Sequence, residues 1–400
     1  MIIHKHKPDA IILPYLYHTD PSWIKLMKSN SNIFLEHHSR ELDEIKPQNS
    51  DILLKNELKF GPIMRKNALG LIGVTKEVLD YEINQTGIKM PGLVLGNGIR
   101  VNEVPILDSP KTKKPIEILV AAKFHWWHAL DRILEGIKRT TPKSPLVFHF
   151  VGNGPEFDNY KDLINLYHID HAIRFHGFLN KENLYHVAHR CHLSIGGLGR
   201  HRKKMLGGSS LKHRLYCALG LPVVYSGYDE DIPPHLPWVH QVPADESPIC
   251  IDSLIDFAQE MMARPTLKNE IRNYAEKYLD WSRKILQLTE FCSQLIKKSS
   301  LHKNEYCLAK KQNFFFFKNK KVKVIFVAHG PNQINGPNVW LQKFLPELAK
   351  KEFEPEVIFL MNSNENCVIV NNLRQSGIKC HIINRNKYTE QNILYLLHII

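Results

Sequence analysis

Short runs rich in valine, isoleucine and leucine recur along most of the chain, separated by longer stretches whose apolar residues return at intervals of three and four. The runs are "AIIL" (10–13), "NIFLEH" (32–37), "LIGVT" (71–75), "EILVAA" (117–122), "LVFHFVG" (146–152), "IRFHG" (173–177), "HLSIG" (192–196) and "PVVYS" (222–226). Runs of this kind suit buried strands, whereas "HALDRILEGIKR" (128–139) and "EFDNYKDLINLYH" (156–168) carry the helical period. Strand, helix and strand in succession require crossover connections, so the strands run parallel with helices on both faces. The fold class expected is α/β in its doubly wound, Rossmann-like form.

The alternation is interrupted at "NEVPILDSPKTKKP" (102–115), where three prolines sit in a polar, charged stretch. A first domain is therefore expected over 1–104 and a second over 105–298, the latter ending in a long helical stretch (253–298). Residues 299–320 show no sustained period and read as a linker; the "FFFF" within it (314–317) is expected to pack on the protein surface.

At 321 the pattern restarts. "KVKVIFVAHG" (321–330) reads as a strand ending in glycine, followed by a glycine turn and an amphipathic helix in "NQINGPNVWLQKFLPELAKK" (332–351). A strand "EPEVIFLM", a helix "NCVIVNNLRQSG", a strand "IKCHIIN" and the start of a helix "TEQNILYLLHII" complete residues 321–400. Residues 1–104 lack an opening strand and turn, and 321–400 have those parts but little core of their own. Two arrangements account for this. In one, the domain is circularly permuted and both segments build one sheet, so that 321–328 lie beside 10–14. In the other, a chain missing the front of its first domain is fused to the front of a second, truncated copy-like one.

A length of 400 residues exceeds one ordinary core and gives two domains of roughly 150 to 200 residues. The hydrophobic fraction of 43% against 23% charged excludes a disordered chain. No apolar run approaches the ~18 residues that span a bilayer, and no secretory signal order opens the chain. The seven cysteines contain no CxxC pair, which indicates reduced thiols and a cytoplasmic location. A formal net charge of +13 suits an anionic partner: nucleic acid, an acidic membrane surface or a phosphate-bearing substrate. Nucleic acid ranks last, because basic and aromatic residues are not interleaved on a recognisable module.

The chemistry concentrates in "LGGSSLKHRLYCALGLPVV" (206–224), where Gly207, Gly208, Ser209 and Ser210 precede a helix beginning at Leu211. A glycine-rich loop leading into a helix N-terminus presents free backbone N–H groups and the positive dipole end, a geometry suited to a diphosphate. Lys212 and Arg214 fall in the first turn, and Lys123 sits at the end of a strand, where ligands of open α/β sheets bind. Taken alone, the same residues also describe an ordinary helix start with solvated basic side chains. "HWWH" places His125 and His128 near each other, but no carboxylate or cysteine joins them at ligand spacing, so no metal site is expected. Trp126 and Trp127 read as packing.

Residues 117–230 resemble the C-terminal half of the GT-B glycosyltransferases, specifically the retaining group 1 family that uses nucleotide sugars. The likeness rests on "ILVAAKFHWWHALDRILEGI", "FHFVGNGPE", "IRFHGFLNKENLYHVAHRCHLSIGGLG" and "GGSSLKHRLYCALGLPVVYSG" in the family's order and spacing. "PDAIILPY", "FLEHHSREL", "LIGVTKEV" and "GLVLGNGIRV" resemble parts of its first domain, and the segment from 321 resembles that domain's opening strand, turn and helix. The resemblance implies two Rossmann-like domains and donor phosphates held by Gly207, Gly208, Ser209, Ser210, Leu211 and Arg214. It implies catalytic roles for Lys123 and Lys212, and for a histidine at the end of the "FLEHH" strand, taken as His38 with His37 nearly as good. Asn335 and Gly336 would form a turn against the donor phosphates.

The sequence departs from the family at two places. The family's paired glutamates, near the transferred sugar and on the nucleotide ribose, fall at Gly207 and Leu215, and neither side chain can accept a hydroxyl hydrogen bond. His128 stands where a lysine is common. The expected function is metal-independent transfer of a sugar from a nucleotide-diphosphate donor to a glycan or lipid-linked acceptor, with retention implied by the resemblance alone. The nucleotide sugar is a co-substrate and no further cofactor is expected; loose contact with an anionic membrane would place the chain at its inner face. The lost glutamates favour a second reading, a nucleotide-sugar-binding protein impaired in transfer.

Overall fold

The computed structural model describes residues 8–15, 21–29, 32–46, 50–108, 110, 113–307, 322–329, 336–350, 353–361 and 367–384. Thirteen strands occur among them: β1 (Ala10–Pro14), β2 (Ile33–His37), β3 (Gly70–Gly73), β4 (Gly92–Val94), β5 (Ile116–Ala121), β6 (Leu146–Val151), β7 (Ile173–Gly177), β8 (Leu193–Ile195), β9 (Val223–Ser226), β10 (Val239–Val242), β11 (Val322–His329), β12 (Phe353–Met361) and β13 (Lys379–Asn384). The chain divides into two compact units, one made of 1–96 with 281–400 and the other of 97–280. The final helical stretch expected at 389–400 and the "FFFF" of 314–317 lie outside the described residues.

In the first unit seven parallel strands follow the order β13-β12-β11-β1-β2-β3-β4. Ala10, Ile11 and Ile12 pair in register with Val324, Ile325 and Phe326, which puts the strand after 321 beside the one at 10, as a permuted domain requires. Asp9 fastens this junction: its N–H donates to the Lys323 carbonyl at 2.9 Å, and its carboxylate accepts from the Lys323 N–H at 2.8 Å. Counted from β11, through β13, and then on to β1, the order becomes 3-2-1-4-5-6-7, the doubly wound pattern with its switch point between β11 and β1.

The alternation within these strands explains why they are buried on both sides. Ile12, Phe34, Val324, Phe326, Val357 and Phe359 face one layer, against Leu288, Phe344 and Leu348. Ile11, Leu13, Ile33, Leu35, Ile325 and Ile358 face the other, against Trp23, Met27 and Met64. The helix Trp281–Cys307 belongs to this unit rather than to the second, and it continues helically past residue 299, where the sequence reads as a linker.

The second unit has six parallel strands ordered β10-β9-β8-β5-β6-β7. Counted from β5 this is again 3-2-1-4-5-6, with the switch point between β5 and β8. Two buried arginines tie its loops together. Arg132 donates to the carbonyls of Leu198, Pro243 and Ser247, and Arg272 to those of Val101, Val104 and Ala218, all at 2.7–2.9 Å. Interior carbonyls in loops and at helix ends thus gain strong, charge-assisted donors. Among the described residues no helix is long and apolar enough to cross a membrane.

Candidate functional site

The carboxyl ends of β5, β6, β8 and β9 supply the loops around the switch point of the second unit. Backbone meets backbone there: Ala122 N–H donates to Val151 O at 3.0 Å and Phe124 N–H to Asn153 O at 2.9 Å. Gly152, at φ +130°, is required, since a Cβ would stand 1.8 Å from the Ala122 carbonyl oxygen. Close approach of these two loops fixes the position of Lys123, whose side chain is exposed.

The glycine-rich loop crosses the same edge. Gly207 bridges to Tyr228, and the Gly208 N–H donates to the Tyr228 carbonyl at 3.0 Å. Ser209 is tied to Asn97, whose N–H donates to Ser209 Oγ at 2.6 Å and whose Nδ2 donates to the Ser209 carbonyl at 2.5 Å. The Ser209 hydroxyl is thus occupied as an acceptor. Helix Leu211–Ala218 begins immediately after, and its N-cap residue Ser210 makes no side-chain cap. The first N–H groups of a helix have no intrahelical partner, so this start keeps its donors for a ligand.

Cations gather around that start. Arg200 Nη1 donates to the Gly207 carbonyl at 3.1 Å. Lys212 is half-buried and pairs with no carboxylate among the described residues; burial, then the Arg200 charge, pulls its ammonium down to about 8. Burial, then the charge of Lys212, pushes the His128 imidazole down to about 3, so the ring is neutral. Its buried Nδ1 has no partner. His125 stacks on Trp127 with centroids 4.1 Å apart, and Lys203 lies 5.3 Å from the same indole ring. His125 and His128 belong to a cationic and aromatic rim.

Arg214 departs from its expected role. Its guanidinium is fully buried and every N–H is committed: Nε to Asn97 O at 2.9 Å, Nη1 to Asp229 Oδ2 and Ser210 O, and Nη2 to Asp229 Oδ1 at 2.9 Å and Asp231 Oδ2 at 2.6 Å. It holds the helix start from within and has no donor left for a phosphate. His213 shares Asp229 through Nδ1 at 3.1 Å and accepts from the Gly197 N–H at Nε2, at 3.2 Å. Burial, outweighing Asp229, lowers this histidine to about 4, so a neutral ring with a fixed tautomer supports the loop. Leu215 packs against the core, and Gly207 backs onto the Tyr228 ring, where a Cβ would stand 2.8 Å from the phenol oxygen. Asn97, Arg200, Tyr228 and Asp229 went unread in the sequence; the nearest signal is the Asn-Gly pair of "LGNGIRV".

In the first unit, His38 follows the end of β2, 29% exposed, with Nε2 3.6 Å from Glu36 Oε1. Burial lowers its pKa, but the Glu36 carboxylate raises it by more. His37 is fully buried in a network with no surface access. Its Nδ1 lies 3.3 Å from Glu41, Arg65 pairs with Glu82 at 2.6 Å and Glu57 at 2.7 Å, and Tyr15 donates to Glu57 at 2.9 Å. Among the described residues, the ligand atoms of His37, Glu41 and Glu82 come within 4.8 Å of one another. The Arg65 guanidinium already supplies a cation to this group, and the network reads as structural. Burial raises Glu82 to about 7 and lifts Glu41 well above the usual carboxyl range, Glu82 adding repulsion. Asn335 lies outside the described residues; Gly336 is the first residue of the helix Gly336–Ala349.

Residues 106–226, which contain the whole of this loop, rim and helix start, match the family model of the glycosyl transferases group 1. Over that segment the chain is similar to the group 1 glycosyl transferases. Solved structures of similar fold include a glycosyltransferase from Rickettsia africae (14% identity, TM-score 0.53, covering 74% of this chain and 79% of that one) and HepE of Anabaena in complex with UDP (13%, 0.53, 73% and 80%). Sucrose-phosphate synthase of Thermosynechococcus elongatus is comparable (15%, 0.52, 72% and 74%). Two Rossmann-like units of parallel strands are the GT-B fold that these transferases share. No curated protein sequence matches the chain.

Proposed function

We propose that this glycosyl transferase segment binds a nucleotide-diphosphate sugar and transfers its sugar to a glycan or lipid-linked acceptor. The observation that carries the reading is the uncapped start of helix Leu211–Ala218, flanked by a half-buried Lys212 with no counter-ion among the described residues and reached by the glycine-rich loop 207–210. Backbone N–H groups of Ser209 to Leu211 face the diphosphate, and Lys212 and Lys123 neutralise the charge that develops on it as the glycosidic bond breaks. His128, neutral, contributes a hydrogen-bonding nitrogen at the rim. The bond from the anomeric carbon to the acceptor oxygen forms on the face from which the nucleoside diphosphate departs, as in the retaining members of the family. No divalent ion is needed in this scheme, because lysine cations and the helix dipole carry the phosphate charge. The chain acts in the cytoplasm, at the inner face of a membrane that holds its acceptor, and HepE's complex with UDP makes a uridine nucleotide the first donor to try.

Gly207 and Leu215 favour a second reading, in which donor is bound but not turned over, since neither offers an acceptor to a sugar or ribose hydroxyl. The strand order of the first unit favours a circularly permuted ancestor over a fusion. Calorimetric titration with UDP, GDP and their sugar conjugates tests the main reading. Selective micromolar binding with slow release of free nucleotide supports a transferase, binding without release supports the second reading, and no binding to any nucleotide removes both.

A further inference from the structure

We infer that the outer face of helix Asp51–Asn67, in the first unit, docks on an anionic lipid bilayer. Ile52, Lys55, Lys59, Ile63 and Lys66 fall at spacings of three and four and so form one stripe along the helix. Ile52 is 73% exposed, Leu58 beside the stripe 58% and Ile63 38%, while Glu57, Gly61, Met64 and Arg65 turn inward. The helix has only two acidic residues, and Glu57 is buried against Arg65, which leaves Asp51 at the first position. Lys55 and Lys66 have no carboxylate partner among the described residues, and Lys59 lies 5.1 Å from the Phe60 ring. The neighbouring helix Pro21–Ser29 packs against this one and adds two exposed lysines, Lys25 and Lys28.

Charge complementarity selects the occupant. A face of alternating aliphatic and lysine side chains suits a surface that is anionic at the headgroups and apolar just below, since lysine stems lie along the boundary while the ammoniums reach the phosphates. Nucleic acid would use the lysines and leave Ile52, Leu58 and Ile63 in water. At ~1.5 Å per residue the helix offers a contact ~25 Å long, lying in the interface and not across it. This surface is independent of whether the second unit transfers a sugar.

The test is co-sedimentation of the full chain with vesicles of phosphatidylcholine alone and of phosphatidylcholine with phosphatidylglycerol, at low and high salt. Partition is expected only with phosphatidylglycerol, falling at high salt. The triple variant Lys55→Glu, Lys59→Glu, Lys66→Glu should lose about a hundredfold, at about fivefold per lysine contact. Ile52→Ser, Leu58→Ser, Ile63→Ser should weaken partition about tenfold or more, as expected for removing inserted aliphatic side chains. Single Lys→Gln changes, each expected to lose about fivefold, keep the test open should a triple variant not fold. A control with the same charge change elsewhere, Lys138→Glu, Arg139→Glu, Lys161→Glu, should lose far less. Failure to bind phosphatidylglycerol vesicles, salt-insensitive binding to phosphatidylcholine, or equal loss in the control would overturn the proposal.

Discussion

The Arg200 guanidinium occupies the space above Gly208: a Cβ built on that glycine would stand 1.9 Å from Arg200 Cζ, while Arg200 Nη1 donates to the Gly207 carbonyl at 3.1 Å. The glycine is therefore a seat for a cation as well as a bend in the loop. Gly208→Ala must drive Arg200 off the loop, and UDP affinity should fall about tenfold, the equivalent of ~1.4 kcal/mol. Calorimetric titration checks this, with a melting temperature near that of the parent chain. An unchanged affinity would show that Arg200 has no part in anion binding.

The doubly wound pattern was legible in the sequence because buried parallel strands are nearly uninterrupted aliphatic runs; "AIIL" and "KVKVIFVA" declare themselves without context. The pairing of those two runs was legible only as a missing part, and their register depends on Asp9 and Lys323, which no periodicity marks. At the site, the loop Gly207–Ser210 and Lys212 stood out from local spacing. Arg214 misled because a cation in a first turn resembles a phosphate ligand until its partners are known, and Asp229 and Asp231 lie on a later loop. The buried network around Arg65 was invisible for the same reason, since Tyr15, Glu57 and Glu82 are brought together by the fold and not by the chain.

Lys212 should give donor binding its pH dependence. Its ammonium titrates at about 8 when no anion is bound, and a diphosphate favours the charged form. Affinity for UDP is therefore expected to hold up to about pH 7.5 and to fall as pH rises through 8, toward tenfold per pH unit beyond it. Lys212→Met should lower the affinity and flatten this profile. A parent profile that is flat from pH 7 to 9 would remove Lys212 from the phosphate contact.

Arg214→Met strips the buried Asp229 carboxylate of its two guanidinium bonds and leaves it with His213 and the Asp231 N–H. Breaking a buried pair in this way costs about 3–5 kcal/mol, whereas a solvated surface arginine would cost at most about 0.5 kcal/mol. Urea unfolding of the full chain, followed through the transition of the second unit, distinguishes the two. Arg214→Lys should recover only part of the loss, because an ammonium cannot reproduce the planar fork shared by Asp229 and Asp231.

The first unit carries its own pH response. Burial raises the fully enclosed Glu82 carboxyl to about 7, above its unfolded value near 4.5, so the folded state binds more protons than the unfolded one between those values. The associated stability is fully present below about pH 4.5 and is lost as pH rises through 7, amounting to about 3 kcal/mol at 1.36 kcal/mol per unit. Thermal unfolding of Glu82→Gln across this range should show a weaker decline than the parent chain. A decline of the same size in both would place the proton elsewhere, with Glu41, raised by burial and by Glu82, as the next group to change.

The junction of β1 and β11 predicts how the chain behaves when cut. Ala10 to Ile12 and Val324 to Phe326 share a parallel ladder, Asp9 adds two bonds to Lys323, and Phe326 is buried in a core with Phe344 and Trp281. A protease cut between 308 and 320 severs the covalent link but none of these contacts. The two fragments should therefore co-elute as one species on size exclusion and separate only in denaturant. Phe326→Asp places an uncompensated charge in the centre of that core, at several kcal/mol, and should release the smaller fragment after the same cut. Co-elution of the parent and separation of the variant would mean that the sheet itself holds residues 322–384 to the rest. Immediate separation of the parent fragments would mean that β11 is held only by its chain connection.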